Sequence, residues 1–267
     1  MCGGCSGSVA PLSEVPFAYL KHLVTVPVAL NGVEQTFVLD SGIGLTLVRD
    51  PAACTLTGET FSGRRMSGQE VTVPLAVVPS LAFAGTERRD AEAGLLDMTG
   101  WPPELDHIGG FLSLADFADT RLTVDYPRGV VSVGARREGT AVPLRVERDG
   151  PSICVYMQLT LPDGRSIEVE VDMGSDSLIL DERFTDLGAG EVRRVDGTDE
   201  TGNRYTRRFA TLPGRVHPTG APELGQDDPA VMFQRIIHDG LVGDAFLRRF
   251  AVTFDIPGAS LLLARAG

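Results

Sequence analysis

The sequence predicts an all-β protein, mostly strands with short helices, built as two lobes related by a pseudo-twofold axis. Short apolar runs are separated by many turn residues, with 31 glycines and 17 prolines among 267 residues, which is typical of β-rich folds. An ordered series of landmarks also recurs along the chain at a nearly constant offset. Such a series indicates an internal duplication, and intervals this long favour paired lobes over solenoid repeats.

The clearest repeat is a β-type run that ends in an aspartate, with a glycine two residues later. FVLDSG at 37–42 returns as VEVDMG at 169–174, an offset of 132 residues. A tight hairpin turn precedes each copy, Asn31-Gly32 in the first and Asp163-Gly164 in the second. Two copies of one motif thus deliver two aspartates, Asp40 and Asp172, which suggests a shared site.

Later landmarks recur in the same order. Segment 240–247 corresponds to 110–117, and the strand and turn at 252–258 correspond to 122–129 at an offset of 130 residues. The polar stretch 136–140 is the best candidate for a boundary between the copies. The predicted organisation is a flexible N-terminal leader at 1–14, an N-terminal lobe at 15–138 and a C-terminal lobe at 139–267.

Composition limits the classes of function. The net charge of −12 argues against a nucleic-acid-binding surface, because such surfaces neutralise phosphates with lysine and arginine. No apolar run approaches the roughly 20 residues that a membrane-spanning helix needs, so no transmembrane segment is predicted. We expect a monomer that acts on a peptide or protein substrate.

The cysteines and the N-terminus leave the compartment open. Cys2 and Cys5 form a Cys-x-x-Cys pair, but no second pair or histidine pair completes a zinc site, and no βαβ context supports a redox motif. No metal or other cofactor is predicted. The protein is expected in the cytoplasm if its N-terminus is native. It is expected outside the cytoplasm, or as a lipoprotein, if a signal peptide was removed.

Two carboxyl groups held within about 3 Å cannot both ionise at ordinary pH, so one keeps a proton. The ionised member can take a proton from water and make it a nucleophile, while the protonated member donates to a substrate carbonyl oxygen. Such a pair hydrolyses an amide without a metal, serine or cysteine. The glycine after each aspartate lets the backbone turn tightly where a Cβ would clash.

Asp40-Ser41-Gly42 and Asp172-Met173-Gly174 resemble the Asp-Thr/Ser-Gly signature of pepsin-like and retropepsin-like aspartic proteases. The segment from Gly240 to Arg249 is similar to the closing segment of pepsin-like C-terminal lobes, with its N-lobe counterpart at 108–112. The resemblance implies two acid-protease lobes of the double-psi β-barrel type with a cleft between them. It also implies an aspartic endopeptidase whose catalytic pair is Asp40 and Asp172.

The residues around the pair depart from this signature in an asymmetric way. In the family, the middle hydroxyl of each triad bonds across to the opposite loop; Ser41 has this hydroxyl, whereas the Met173 thioether is at best a weak acceptor. A hydroxyl after the glycine stabilises the charged carboxylate; Ser175 provides it, but Ile43 does not. We therefore predict that Asp40 is the more readily protonated member and that the pH optimum is less acidic than pepsin's. The expected supporting residues are Ser41, Gly42, Gly174 and Ser175.

Polar hairpin tips are candidates for a flap over the cleft. Residues 62–69 form such a tip in the first copy and 199–205 in the second. The candidate flap residues are Met66, Ser67, Gly68 and Tyr205. If the arginines of the two hairpins, Arg64, Arg65, Arg207 and Arg208, face the cleft, they favour acidic peptides.

Two other functions remain open from the sequence. Met173 and Ile43 motivate a peptide-binding module that keeps a protease-like cleft but has weak or lost catalysis. A lobe-repeat protein without a cleft function is the third alternative. A serine hydrolase is not favoured, because the chain has no Gly-x-Ser-x-Gly nucleophile elbow.

Overall fold

The computed structural model describes residues 13–99, 101–134, 138–198 and 204–265 of the chain. The leader predicted at 1–14, with Cys2 and Cys5, therefore lies outside the described residues except for Ser13 and Glu14, and Glu14 begins the first strand. The strands of the N-terminal half are β1 (Glu14–Pro16), β2 (Ala18–Leu20), β3 (Leu23–Leu30), β4 (Val33–Leu39), β5 (Leu47–Val48), β6 (Thr55–Arg64), β7 (Glu70–Phe83), β8 (Thr86–Leu95), β9 (Ile108–Leu112), β10 (Arg121–Asp125) and β11 (Val130–Val133).

The C-terminal half is built in the same manner. Its strands are β12 (Thr140–Asp149), β13 (Ser152–Thr160), β14 (Ser166–Val171), β15 (Leu178–Asp181), β16 (Ala189–Thr198), β17 (Arg204–Thr211), β18 (Arg215–Pro218), β19 (Gln226–Asp227), β20 (Ala230–Gln234), β21 (Gly240–Val242), β22 (Phe250–Asp255) and β23 (Ser260–Arg265). The helical segments are short: a single α-helical turn, α1 (Asp244–Leu247), and 3-10 helices at Pro51–Ala53, Pro103–Leu105, Leu114–Phe117, Glu182–Leu187 and Pro222–Leu224. None of the helices in the described ranges is long and apolar enough to cross a membrane.

The two halves repeat one strand arrangement. In the first, β9 lies between β4, to which it is parallel, and β5, to which it is antiparallel, and β5 then pairs in parallel with β8. In the second, β21 lies in the same way between β14 and β15, and β15 pairs in parallel with β20. The prediction of an all-β fold with two barrel-like halves is therefore confirmed.

The halves meet through β10 and β22, which pair in antiparallel register. Thr123 lies opposite Thr253, and their hydroxyl oxygens are 2.8 Å apart. These two threonines are separated by the repeat offset of 130 residues, so each strand pairs with its own counterpart. Self-pairing of equivalent residues is the signature of a local twofold axis, and here the axis passes between the two threonines.

The turns differ between the copies. Asn31 and Gly32 both have positive φ, 51° and 80°, and they join β3 to β4 with Leu30 opposite Val33, as expected of a two-residue hairpin. The second hairpin is one residue longer: Leu161 donates its N–H to the Arg165 carbonyl at 2.8 Å. Pro162 has no N–H for the ladder, so it belongs to the loop.

A hydrophobic core runs continuously through both halves, from Val24 of β3 to Leu263 of β23. A smaller cluster in the N-terminal half contains Val38 and Phe111, with Ile43 and Trp101 packed against it. A third cluster, of Ile179, Met232, Ile236 and Leu241, belongs to the C-terminal half but receives Met66 from the other half. The main core and the third cluster therefore both join the two halves.

Candidate active site

Asp40 and Asp172 occupy equivalent places at the ends of β4 and β14. The N–H of Asp40 donates to the Leu112 carbonyl of β9 at 3.0 Å, and the N–H of Asp172 donates to the Val242 carbonyl of β21 at the same distance. Each aspartate is thus fixed by the glycine-bearing strand that runs parallel to its own. Equivalent backbone hydrogen bonds therefore position both predicted catalytic residues.

The loops that follow these strands bring the two carboxyl groups together. The side chains of Asp40 and Asp172 lie within hydrogen-bonding reach of each other. A Cβ on Gly174 would lie 2.6 Å from Asp40 Oδ2, and a Cβ on Gly42 would lie 2.6 Å from Asp172 Cγ. Since real Cβ contacts are never this close, glycine is required at both positions for the two carboxyl groups to approach. Each glycine N–H also donates to the carboxylate of its own loop, at 2.8 Å.

The middle residues of the two loops make a one-sided connection. Ser41 Oγ donates to the Val171 carbonyl at 2.6 Å and accepts from the Met173 N–H at 2.9 Å. Ser41 and Met173 are each only 1% exposed. The Met173 side chain packs into the main core, so Ser41 supplies the hydroxyl that joins the two loops.

The residues that follow the glycines are also unequal. Ser175 Oγ donates to Asp172 Oδ2 at 2.7 Å. Ile43, in the equivalent place beside Asp40, packs against the small N-terminal cluster. A hydroxyl donor favours the ionised form of the carboxylate that it contacts, so the local hydrogen bonds stabilise a charge on Asp172 more than on Asp40.

Burial and mutual repulsion decide how the pair ionises. Desolvation, followed by the charge of Asp172, raises the pKa of Asp40 to about 8. Desolvation also raises the pKa of Asp172, but the Ser175 hydroxyl and the Gly174 N–H oppose this rise. The preferred state therefore has a protonated Asp40 that donates to an ionised Asp172. The proton is thus on the aspartate that the sequence predicts from the asymmetry of Ile43 and Ser175.

The pair lies in a cleft of about 660 Å³ whose lining comes from both halves. The β6–β7 hairpin contributes one wall, including Phe61, Arg64 and Met66. Further lining residues come from β12, β13, β14 and the loop before β21.

The tip of the β6–β7 hairpin reaches the other half of the molecule. The Ile237 N–H donates to the Met66 carbonyl at 2.9 Å, and Gly68 faces the Ile237 side chain so closely that a Cβ there would lie 2.9 Å away. Met66 lines the cleft, whereas Ser67 and Gly68 line an adjoining groove of about 1010 Å³. The candidate flap residues of the first copy are thus together at one edge of the cleft.

Tyr205 has a different position. It lies on β17, where Arg207 stacks on its ring with 4.0 Å from Cζ to the ring centroid, and it lines the adjoining groove. The arginines of the two hairpins also lie in different places. Arg64 and Arg65 line the cleft, whereas Arg207 Nε donates to Gln234 Oε1 at 2.9 Å. Residues 199–203 of the second predicted tip lie outside the described residues.

Sequence reasoning missed several residues of the site. The His22 ring contacts the Gly174 carbonyl, with 3.0 Å from Nε2 to the oxygen, and His238 and Glu170 line the cleft. Only Glu170 had a usable signal: it precedes Asp172 by two residues on a strand, and alternate strand residues share a face. The two histidines are far from the aspartates in sequence, so only tertiary structure brings them near.

Among the described residues, no group of three histidine, cysteine, aspartate or glutamate side chains is arranged to hold a metal ion. The other repeated aspartates, Asp125 and Asp255, accept backbone N–H bonds within their own turns, at 3.2 and 3.0 Å, as expected for aspartates beside turns.

Comparison with known proteins adds no assignment to this geometry. The chain matches no protein-family model. No curated protein is significantly similar to it.

Proposed function

We propose that this protein is an aspartic endopeptidase that hydrolyses peptide bonds with a water activated by Asp40 and Asp172. The observation that carries the proposal is the approach of two carboxyl groups from equivalent loops, at the bottom of a cleft lined by both halves. The triad resemblance and the repeated strand arrangement support the same reaction.

The asymmetry of the pair assigns a role to each carboxyl group. Asp172, ionised and supported by Ser175, accepts a proton from a water molecule as that water attacks the scissile carbonyl carbon. Asp40, protonated, donates its proton to the carbonyl oxygen, which gives a neutral tetrahedral diol. The diol collapses when the C–N bond breaks and the amine takes up the proton held by Asp172; Asp40 regains its proton from the diol hydroxyl as the new carboxyl group forms.

The direct test is cleavage of a peptide library between about pH 3 and pH 9, with the wild type, Asp40→Asn and Asp172→Asn. Each substitution is expected to abolish cleavage, since each removes one of the two proton-transfer steps. Asp176→Asn is the matched control, because Asp176 is an exposed aspartate on the same loop. Cleavage that survives both Asp40→Asn and Asp172→Asn rejects the proposal.

The alternative is a peptide-binding module with weak or lost catalysis. It is favoured by the buried Met173, which leaves the cross-loop connection to Ser41 alone. This alternative predicts that peptides bind the wild type without being cleaved at any pH. Met173→Thr, which supplies the second hydroxyl, would then be expected to increase cleavage from an undetectable level.

A further inference from the structure

Glu170 is a buried carboxyl group in the wall of the cleft. It is only 6% exposed and lines the same cavity as the aspartate pair. It lies on β14, two residues before Asp172, whose N–H continues the hydrogen bonding to β21 just beyond the end of the strand. Side chains two residues apart on a strand share a face. Glu170 therefore points to the same side of the sheet as the residue proposed to activate water.

The positive charge near Glu170 is already engaged elsewhere. Arg145 binds Glu168, with 2.7 Å between Nη2 and Oε1, and also pairs with Glu147. Within the described residues, the basic group that contacts Glu170 is His238, with 3.5 Å from Nε2 to Oε2. Burial lowers the pKa of His238, so its ring is a weak counter-charge.

Burial of Glu170 has a clear electrostatic consequence, which a hydrogen bond from Cys154 opposes only in part. Desolvation, followed by the charges of Asp172 and Asp40, raises the pKa of Glu170 well above its ordinary value. Burying a carboxylate is unfavourable unless it is paired or hydrogen-bonded. A cation that enters the cleft and meets Glu170 would offset this penalty, and the Glu170 proton would be released.

The duplicated framework does not need a carboxyl group at this place. The equivalent of Glu170 in the first copy is Val38, which is fully buried in the small N-terminal cluster. The strand arrangement around the two positions is the same. The carboxyl group is therefore a feature of the cleft wall of one half rather than a requirement of the fold.

We propose that Glu170 recognises the lysine or arginine side chain of a peptide bound in the cleft, at a residue flanking the scissile bond. The inference deepens the proposed function and rests on it, because the cleft is taken to bind peptides. Glu147, which pairs with Arg145, and the exposed Asp149 line the same cavity. Arg64 and Arg65 line the hairpin side, so the preference for a cation is expected at one subsite only.

The test uses two series of peptides, and the peptides within each series differ only in the charge of one side chain. Each series varies one position on either side of the scissile bond between lysine and norleucine, which has the lysine stem without its amine. The wild type is expected to cleave the lysine peptide with a kcat/KM about tenfold or more higher at one position, and Glu170→Gln is expected to remove most of this difference. The ratio for two peptides does not depend on the folded fraction of a preparation, and Glu170→Asp is a second variant if Glu170→Gln fails to fold.

Glu168→Gln is the matched control. Glu168 lies two residues earlier on β14, its carboxylate is held by Arg145, and it does not line the cleft. Its substitution is expected to leave the lysine-to-norleucine ratio unchanged. A wild type that cleaves both peptides equally, or an equal ratio in wild type and Glu170→Gln, overturns the inference about Glu170 and leaves the proposed peptidase intact.

Binding separates this failure from failure of the proposed function. The same peptides are titrated into Asp40→Asn, which retains Glu170, and into the double variant with Glu170→Gln, with fluorescence anisotropy as the readout. If no peptide is cleaved by the wild type but the lysine peptide binds about tenfold more tightly through Glu170, the cation subsite stands and the peptidase proposal falls. Absence of both cleavage and binding rejects both.

Discussion

Asp40→Asn is expected to stabilise the folded protein while it abolishes activity. Asn has nearly the shape of a protonated aspartic acid: its oxygen can still accept the Gly42 N–H, which lies 2.8 Å from Asp40 Oδ1, and its amide can donate to Asp172. The substitution therefore fixes the neutral state that burial favours. It removes only the ability to carry and transfer a proton.

The magnitude follows from the pKa of Asp40, which folding raises from 3.8 to about 8. An acid whose pKa is raised on folding binds its proton more tightly in the folded state, so its contribution to stability is fully present below the unfolded pKa and is lost as the pH rises through the folded pKa. Each pH unit in this window corresponds to about 1.4 kcal/mol, which gives an upper bound of about 4 kcal/mol at pH 7. The expected gain at pH 7 is smaller, about 1–3 kcal/mol, because the raised pKa belongs to the coupled pair and not to Asp40 alone.

The assay is urea unfolding of the wild type and Asp40→Asn in buffers between about pH 4.5 and pH 8. The difference in unfolding free energy should be small at the acidic end and should grow with pH. Asp176→Asn, an exposed substitution on the loop after Asp172, is the control and should stay within about 0.5 kcal/mol of the wild type. A variant less stable than the wild type at pH 7, or a difference that does not change with pH, refutes the reasoning.

Three further substitutions test separate parts of the site. Ser41→Ala is expected to lower the unfolding free energy by about 1–3 kcal/mol, measured by urea unfolding, because the buried Met173 N–H loses its acceptor; an unchanged value would contradict the one-hydroxyl connection. Ser175→Ala removes a donor to the ionised Asp172 and should move the acidic limb of the pH–rate profile to higher pH; an unshifted limb would contradict the assigned roles. Met66→Ala removes a side chain packed on the Ile236 cluster and should speed amide hydrogen exchange in the β6–β7 hairpin with little change in global stability; exchange that stays slow would show that the hairpin does not depend on this contact.

The wild-type pH–rate profile itself provides one more test. The active form needs one proton on the pair, and burial raises the pKa of both Asp40 and Asp172. Activity is therefore expected to rise with pH as Asp172 loses its proton and to fall as the pH passes about 8, where Asp40 loses its own. An optimum at about pH 2, the range of pepsin's lower pKa, would contradict this order.

Much of the candidate site could be predicted because its signals are local. A strand that ends in Asp-x-Gly, a hairpin turn before it and a glycine-bearing strand after it are each readable within a few residues. Ser41 and Ser175 follow from their neighbours in the same loops. The tip of the first hairpin is also readable from its polar residues. Tyr205 lies on β17 and lines the groove that Ser67 and Gly68 share, not the cleft that Met66 lines.

By itself, the sequence determined the all-β class, the duplication, and the two aspartates with their unequal neighbours, because strand periodicity, turn residues and repeated order are properties of the chain. Only the tertiary structure decided that a Cβ at Gly42 or Gly174 would collide with the opposite aspartate, that Met66 packs against the other half, and that Glu170 lies buried with His238 in the cleft wall. The physical reason is that these contacts join segments remote in sequence, and both burial and the electrostatic fields that shift pKa values arise only when those segments pack together.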